Sequence, residues 1–230
     1  MTQPPEASET DLFYEDEIHR VTVMPGESRT AIIAFGGIGL ALNGIQIEEF
    51  KNSLRGEHTV FFVLDKARSW WNDGDALAML DDILSVARED LDVRDVAVVG
   101  NSMGGSGALL AAHHFEEVTR CLALVPQADV RMSFAPEPRW IPLRERIEAH
   151  RFETFALPPR AAQTHVVFGA LDDHDQRRCF IERGVALDVI DGYDHDLASR
   201  AKRQDPGFYR SMIAFVTDGT PIAFPGTPST

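Results

Sequence analysis

Apolar positions along the chain alternate between two patterns. Short, nearly continuous apolar runs are typical of strands that helices cover on both faces. These runs occupy residues 20–24, 31–35, 59–64, 95–99, 121–125, 165–168 and 186–190. Longer amphipathic stretches lie between them and predict helices at residues 45–54, 75–88, 104–115, 175–183 and 196–216. The alternation predicts an α/β fold, a mostly parallel sheet of about seven to eight strands with helices on both faces.

Proline and glycine divide the chain further. Asp205-Pro206-Gly207 interrupts the last amphipathic stretch and predicts two helices there. Residues 1–17 and 219–230 are rich in proline and polar residues, so we expect flexible tails around one domain at 18–218. The connection at about 127–163 carries several prolines and aromatic residues, and a connection of this length predicts a short lid.

Composition and charge narrow the possible partners. The chain has 230 residues, 44% of them hydrophobic, and its 22 basic against 36 acidic residues give a net charge of −14. Such a charge repels phosphate backbones and anionic lipids, so we expect neither a nucleic-acid nor a membrane partner. The acidic start resembles no secretory signal, and no apolar run is long enough to cross a membrane, which predicts a cytoplasmic protein. Cys121 and Cys179 lie far apart and predict free thiols, with no metal site.

The most informative segment is Gly100-Asn101-Ser102-Met103-Gly104. It has the G-x-S-x-G spacing, follows an apolar run and precedes a run of small helical residues, which is the context of a nucleophile elbow. In such a strained turn, glycines leave room for close backbone approach and the serine hydroxyl projects above the sheet. Ser102 is therefore the predicted nucleophile, and the interpretation as a glycine-rich turn without chemistry is the weaker one.

A serine nucleophile needs a general base. Among eight histidines, His195 is best placed, because it follows the last predicted strand at the sheet edge where open parallel sheets bind ligands. His174 is the only rival near a strand end, and its neighbours suggest a solvated helix start.

The group that orients the imidazole is expected after the penultimate strand, in Phe168-Gly169-Ala170-Leu171-Asp172-Asp173-His174-Asp175. Turn spacing favours Asp172. Asp175 is second, although it could simply cap the next helix. Asp173 is expected to face solvent. The order Ser102, acid, His195 is that of α/β-hydrolases.

Two backbone amides are candidate oxyanion donors. The Met103 amide directly follows the nucleophile, and the Gly37 amide lies in the glycine-rich loop after the run at 31–35. That loop also follows a strand as phosphate-binding loops do, but it lacks both the G-x-x-x-x-G-K-[ST] and the complete G-x-G-x-x-G patterns, so we expect no nucleotide cofactor, and the chemistry requires no other.

By these motifs the sequence resembles the α/β-hydrolase superfamily over roughly residues 19–217. The resemblance rests on Phe35-Gly36-Gly37, the elbow, Gly169-Ala170-Leu171-Asp172 and Asp194-His195. It implies an eight-stranded, mostly parallel sheet and a serine nucleophile. Ser102-Met103-Gly104-Gly105 with Leu124-Val125-Pro126-Gln127 is also similar to small hydrolase-like proteins of bacterial polysaccharide pathways, where the carboxylate corresponding to Asp175 is the more regular one. Phe35 replaces the histidine common in esterases.

The resulting hypothesis is a serine hydrolase that cleaves a carboxylic ester, for example an acyl group on a carbohydrate or other small molecule. An acyltransferase would use the same residues, and a catalytically silent binding module is the alternative from another class. Trp70 and Trp71 could contact substrate at the sheet edge, but packing is the more common role of such residues. The five arginines of the lid could meet an anionic substrate or pair with neighbouring acids: Arg139, Arg144, Arg146, Arg151 and Arg160.

Overall fold

The structure, a computed structural model, describes residues 10–39, 44–134 and 137–226. Its centre is one sheet of eight strands. The strands are β1 (Asp11–Glu15), β2 (His19–Met24), β3 (Thr30–Phe35), β4 (Thr59–Asp65), β5 (Asp95–Asn101), β6 (Val118–Leu124), β7 (Gln163–Gly169) and β8 (Asp188–Ile190). All seven predicted strands are present, with ends shifted by a few residues.

The strand order explains how distant parts of the chain meet. Across the sheet it runs β1-β2-β4-β3-β5-β6-β7-β8. The pairs β1–β2 and β2–β4 are antiparallel, and all the others are parallel. The carboxyl ends of β3, β5, β7 and β8 therefore lie along one edge of the sheet, and loops from four separate segments converge there.

Helices follow the strands as the alternation predicts. They are α1 (Ala76–Glu89), α2 (Met103–His114), α3 (Ile141–Arg144), α4 (His174–Glu182), α5 (Leu197–Gln204) and α6 (Pro206–Asp218). Helix α2 is buried along most of its length and packs against β5 and β6. Asp205 separates α5 from α6 and its side chain accepts from the Phe208 amide at 3.1 Å, which confirms the predicted break. No helix among the described residues is long and apolar enough to span a membrane.

Two predictions for the amino-terminal part of the chain are wrong, the helix at 45–54 and the flexible tail at 1–17. The stretch predicted as a helix at 45–54 forms hydrogen-bonded turns, and Phe50 has a φ of 64°, which an α-helix does not accommodate. The expected tail at 1–17 contains strand β1, whose Phe13 ring meets Phe61 edge-on at 5.3 Å. Strand β1 lies at the edge of the sheet and is largely exposed, so it lacks the continuous apolar run that identified the buried strands. Residues 1–9 lie outside the described part.

The carboxyl-terminal segment is also more ordered than predicted. Residues 219–226 run back along the body, with Ile222 buried and the Phe224 ring 5.6 Å from His165 and 5.9 Å from Phe208. The expected flexible tail is wrong for this stretch, because two apolar side chains anchor it, and residues 227–230 lie outside the description.

The predicted lid, residues 127–163, packs closely onto the body. It contains α3, and the buried Arg144 guanidinium donates to the carbonyls of Val130, Arg131, Phe134 and Glu137. These bonds hold the loop together through one side chain in place of regular secondary structure. Residues 135–136 of this segment are not described.

Candidate active site

Ser102 occupies the sharp turn between β5 and α2. Its φ of 56° and ψ of −121° are strained for a residue with a side chain. A Cβ on Gly104 would lie 2.2 Å from the Phe35 carbonyl oxygen, and one on Gly100 would lie 2.0 Å from the Gly104 oxygen. Both positions therefore require glycine, because α2 begins directly against β3 and β5. The turn has the strand, elbow and helix order that the motif predicts.

His195 lies in the loop between β8 and α5, above the same edge of the sheet. Its Nε2 is 3.0 Å from Ser102 Oγ, although the two residues are 93 positions apart in sequence. Ser102 is largely buried, at 7% exposure. The distance is that of a direct hydrogen bond, so a neutral imidazole protonated at Nδ1 can accept the serine proton at Nε2.

The carboxylate that contacts the imidazole is Asp173, not Asp172 or Asp175. Asp173 Oδ2 lies 2.7 Å from His195 Nδ1, and the side chain is 1% exposed, so the expectation that it faces solvent is wrong. Asp173 has a φ of 56° and precedes α4. This left-handed conformation, which aspartate tolerates better than most residues, accompanies a side chain that lies in the site.

The two carboxylates favoured by the sequence have other roles. Asp172 Oδ2 accepts from the backbone amide of His195 at 2.9 Å and so fixes the loop that carries the imidazole. Burial raises the pKa of Asp172, the bond from His195 opposes the shift, and the Asp173 charge adds to it. Asp175 lies in the first turn of α4, where it pairs with Arg178 at 2.8 Å. His174, the rival histidine, contacts Arg177, whereas it is His195 that contacts Ser102.

Arg139, from the lid, contacts the other oxygen of Asp173. Its guanidinium donates to Asp173 Oδ1 and, at 2.6–2.7 Å, to both oxygens of the buried Glu137. Burial alone would raise the pKa of Asp173, but the hydrogen bond from His195 and the Arg139 charge outweigh it and lower that pKa. The Arg139 guanidinium also lies 4.4 Å from the ring centre of Trp140, whose ring is 5.4 Å from that of His195. Asp173 is therefore held ionised beside the imidazole.

Gln127 supplies a second contact to Ser102 Oγ. Its Nε2 lies 3.2 Å from Ser102 Oγ, and its side chain is completely buried. Its Oε1 accepts from the indole N–H of Trp70 at 2.8 Å. The neighbouring Trp71 donates its indole N–H to the Met103 carbonyl at 3.1 Å. Both tryptophans are buried, so they support the elbow and the lid and do not line the cleft.

The two candidate oxyanion donors differ. The Met103 amide begins α2, where a helix has no internal acceptor for its N–H. The Gly37 amide instead donates to Glu49 Oε1 at 2.9 Å. Burial raises the pKa of Glu49 to about 7, and the bond from Gly37 opposes that rise. Gly37 thus lies in the loop after β3 and lines the cleft, but its backbone N–H donates to the Glu49 carboxyl group.

A cleft of about 590 Å³ opens beside Ser102 and His195. Its lining is more apolar than polar and combines the glycine-rich loop, the turn segment near Glu49, the lid and α5. The lining residues that bear on recognition are Ile38, Glu49, Phe50, Trp140, Lys202 and Tyr209. The size and mixed lining suit a small molecule with an apolar part and a few polar groups. Among the residues described, no cluster of His, Cys, Asp and Glu is arranged to hold a metal ion.

Fold and site together define an α/β-hydrolase fold with a serine at the elbow, and comparison with solved structures confirms the fold. The chain is similar to an esterase from Pyrococcus furiosus at 15% identity and a TM-score of 0.59, covering 93% of this chain and 91% of that one. It is similar to Thermogutta terrifontis esterase 2, phosphoramylated by tabun, at 13% identity and a TM-score of 0.55, covering 94% and 95%. The acylaminoacyl peptidase of Pyrococcus horikoshii matches at 13% identity and a TM-score of 0.62, covering 90% of this chain and 41% of that one.

Sequence comparison adds no narrower family. No protein-family model matches the chain, and no curated protein matches it significantly. The predicted α/β-hydrolase fold is therefore confirmed through structure. The similarity to proteins of polysaccharide pathways stays a prediction.

Sequence reasoning missed four residues of the site: Glu49, Gln127, Arg139 as a partner of the acid, and Asp173. Asp173 was visible as one of three neighbouring acids but needed the backbone conformation to be selected. Gln127 carried a weak signal, since a glutamine directly after an apolar strand and a proline must be paired if it is buried. Glu49 carried none, because it lies in a stretch whose spacing suggests a surface helix.

Proposed function

We propose that this protein is a serine hydrolase that cleaves a carboxylic ester through an acyl-enzyme intermediate. The observation that carries the proposal is the unbroken contact from Ser102 Oγ to His195 Nε2 at 3.0 Å and from His195 Nδ1 to Asp173 at 2.7 Å. A hydroxyl, an imidazole and a buried carboxylate in this order are the components of nucleophilic acyl transfer.

The first half-reaction acylates the serine. Ser102 Oγ bonds to the ester carbonyl carbon while His195 Nε2 takes the hydroxyl proton. Asp173 keeps its negative charge and stabilises the imidazolium that forms. The tetrahedral intermediate then breaks its bond to the alcohol oxygen, which leaves with the proton from His195. Water repeats the sequence on the acyl-enzyme and releases the acid.

The developing oxyanion needs backbone donors. The Met103 amide is available in the proposed mechanism because it begins α2. The Gly37 amide becomes available only when the substrate oxygen replaces the Glu49 carboxyl on it. A protonated Glu49 yields this position more readily than an ionised one, because a carboxylate binds an amide donor more strongly than a neutral carboxyl does.

The cleft suggests the kind of ester. Ile38 and Phe50 offer apolar contacts for an acyl chain, and the Trp140 ring beside His195 offers a flat face for a sugar or another compact alcohol. We therefore propose a small or carbohydrate-borne acyl ester as substrate. Transfer of the acyl group to a second alcohol would use the same residues.

A fluorophosphonate probe tests the proposal directly, because it labels only an activated serine. The wild type and the matched variant Ser85→Ala, on α1 away from the cleft, should both be labelled. Ser102→Ala should not be labelled, and His195→Ala should react at least about 100-fold more slowly. If the folded wild type is not labelled, the hydrolase proposal is wrong and the silent binding module is favoured. A panel of acyl esters, with and without sugar acceptors, separates hydrolysis from transfer.

A further inference from the structure

Among the residues that the structure describes, two polar side chains contact Ser102 Oγ, and the proposed triad uses one of them. The second is the side-chain amide of Gln127 at 3.2 Å. Gln127 is fully buried and does not line the cleft, and it lies at the start of the connection after β6.

The orientation of this amide is fixed by its other partners. The indole N–H of Trp70 can only donate, so the Gln127 atom 2.8 Å from it must be the oxygen. The Val125 carbonyl can only accept, so the atom 3.1 Å from it must be the nitrogen. The amide therefore points an N–H toward Ser102 and cannot present its oxygen there without leaving both partners unsatisfied.

The backbone of Gln127 is held as firmly as its side chain. Its amide donates to Ser106 Oγ at 3.0 Å, and the Ser106 hydroxyl donates back to its carbonyl at 2.9 Å. Ser106 lies one turn after Ser102 on α2. The helix that begins at the elbow therefore also fixes the residue whose side chain contacts Ser102 Oγ.

We infer that Gln127 is a catalytic residue whose N–H stabilises the negative charge that returns to Ser102 Oγ when the acyl-enzyme breaks down. The inference rests on the proposed serine hydrolase function. In that step water bonds to the acyl carbon and loses a proton to His195 Nε2. The bond between the acyl carbon and Oγ then breaks, its electron pair moves to Oγ, and Oγ takes the proton from Nε2.

The hydrogen bond from Gln127 to Ser102 Oγ should accelerate acylation and deacylation to different extents. In the free enzyme the hydroxyl oxygen already accepts the Gln127 bond, so acylation starts from a state that has this stabilisation. In the acyl-enzyme Oγ is an ester oxygen and a weak acceptor, and the bond strengthens only as charge develops during cleavage. Interactions that strengthen in the transition state are the ones that accelerate a step. Loss of the N–H should therefore slow deacylation more than acylation.

Pre-steady-state hydrolysis of p-nitrophenyl acetate separates the two steps, because the burst reports acylation and the steady state reports deacylation. In Gln127→Leu we expect deacylation to slow roughly 10- to 100-fold and acylation to slow less than about threefold. Cys121→Ala, a buried change on β6 that does not contact the triad, controls for lost stability and should leave the ratio of the two constants as in wild type.

A second variant keeps the shape of the side chain. Gln127→Glu can still accept from Trp70, but in its ionised form it has no proton to donate to Ser102. Its deacylation rate should recover as the pH falls and the carboxyl regains a proton, a dependence that the wild type lacks. Equal slowing of both steps, or no change in either, in Gln127→Leu would overturn the inference alone, as would a wild-type pH profile in Gln127→Glu. A wild type with neither burst nor fluorophosphonate labelling would overturn the proposed function and the inference with it.

Discussion

Glu49 couples the stability of the fold to pH in a direction opposite to that of an ordinary salt-bridged carboxylate. Burial raises its pKa from 4.5 to about 7, so between these values the folded protein keeps a proton that the unfolded chain has lost. The unfolded state then binds fewer protons, and stability must fall as pH rises through this window. The contribution is complete below pH 4.5 and lost above about 7.

The magnitude follows from the two pKa values. At 1.36 kcal/mol for each pH unit, the interval from 4.5 to about 7 corresponds to about 3 kcal/mol, an upper value because the Glu49 residue is only partly buried. Glu49→Gln retains an oxygen to accept from the Gly37 amide and removes the charge. We expect its free energy of unfolding to exceed that of wild type by up to about 3 kcal/mol at pH 8.5, and the difference to shrink toward zero at pH 4.5.

Urea unfolding of both proteins at several pH values measures this difference, and groups common to both cancel. Glu48→Gln is a matched control of opposite sign. Burial would raise the pKa of Glu48, but hydrogen bonds from Lys51, Thr22 and Thr10 outweigh it and lower that pKa, so Glu48 stabilises the fold above its unfolded pKa and loses this contribution on acidification. A difference between Glu49→Gln and wild type that does not change with pH would refute the reasoning. In kinetics, Glu49→Gln should have a severalfold higher kcat/KM above pH 7, because it places no carboxylate at the oxyanion position.

Three further outcomes follow from the site. Asp173→Asn should lower kcat by at least about 100-fold with KM nearly unchanged, whereas Asp175→Asn should retain most activity; steady-state kinetics on one ester that shows the reverse would restore Asp175 as the acid. Arg139→Gln leaves buried carboxylates without their cation and should cost about 3 kcal/mol in urea unfolding at pH 7; a change below about 0.5 kcal/mol would contradict the ion pairing described. Gly104→Ala places a Cβ 2.2 Å from the Phe35 oxygen and should prevent the native elbow, so soluble, fluorophosphonate-reactive protein would contradict the close approach of α2 and β3.

The sequence was sufficient for the features that rest on burial and chain order. Continuous apolar runs identify β3, β5 and β6 because both faces of these strands are covered. The elbow around Ser102 could be predicted because backbone atoms leave no room for a Cβ at Gly100 and Gly104, so the motif is visible in the sequence. Edge strand β1 could not be predicted in this way, because it is largely exposed and has no continuous apolar run.

The polar contacts of the site depended on geometry that no spacing rule encodes. Selecting Asp173 over Asp172 required the left-handed backbone at position 173, which several neighbouring acids could have adopted. The bond between Glu49 and Gly37 joins a turn to a loop 12 residues earlier, and the bond between Gln127 and Ser102 spans 25 residues. Such pairs are set by how loops close over the sheet edge, which local pattern does not determine.

Arg139 connects the lid to the carboxylate that contacts His195. The Arg139 guanidinium of the lid donates to the same Asp173 carboxylate that contacts His195. Movement of the lid away from the cleft would therefore remove a hydrogen bond that holds this carboxylate beside the imidazole. Under the proposed function, exchange of residues 127–163 for the corresponding stretch of a solved esterase would therefore alter reactivity as well as access, unless the transplanted loop brought a cation to the same carboxylate oxygen. Under the proposed function, selectivity and turnover are then expected to evolve together.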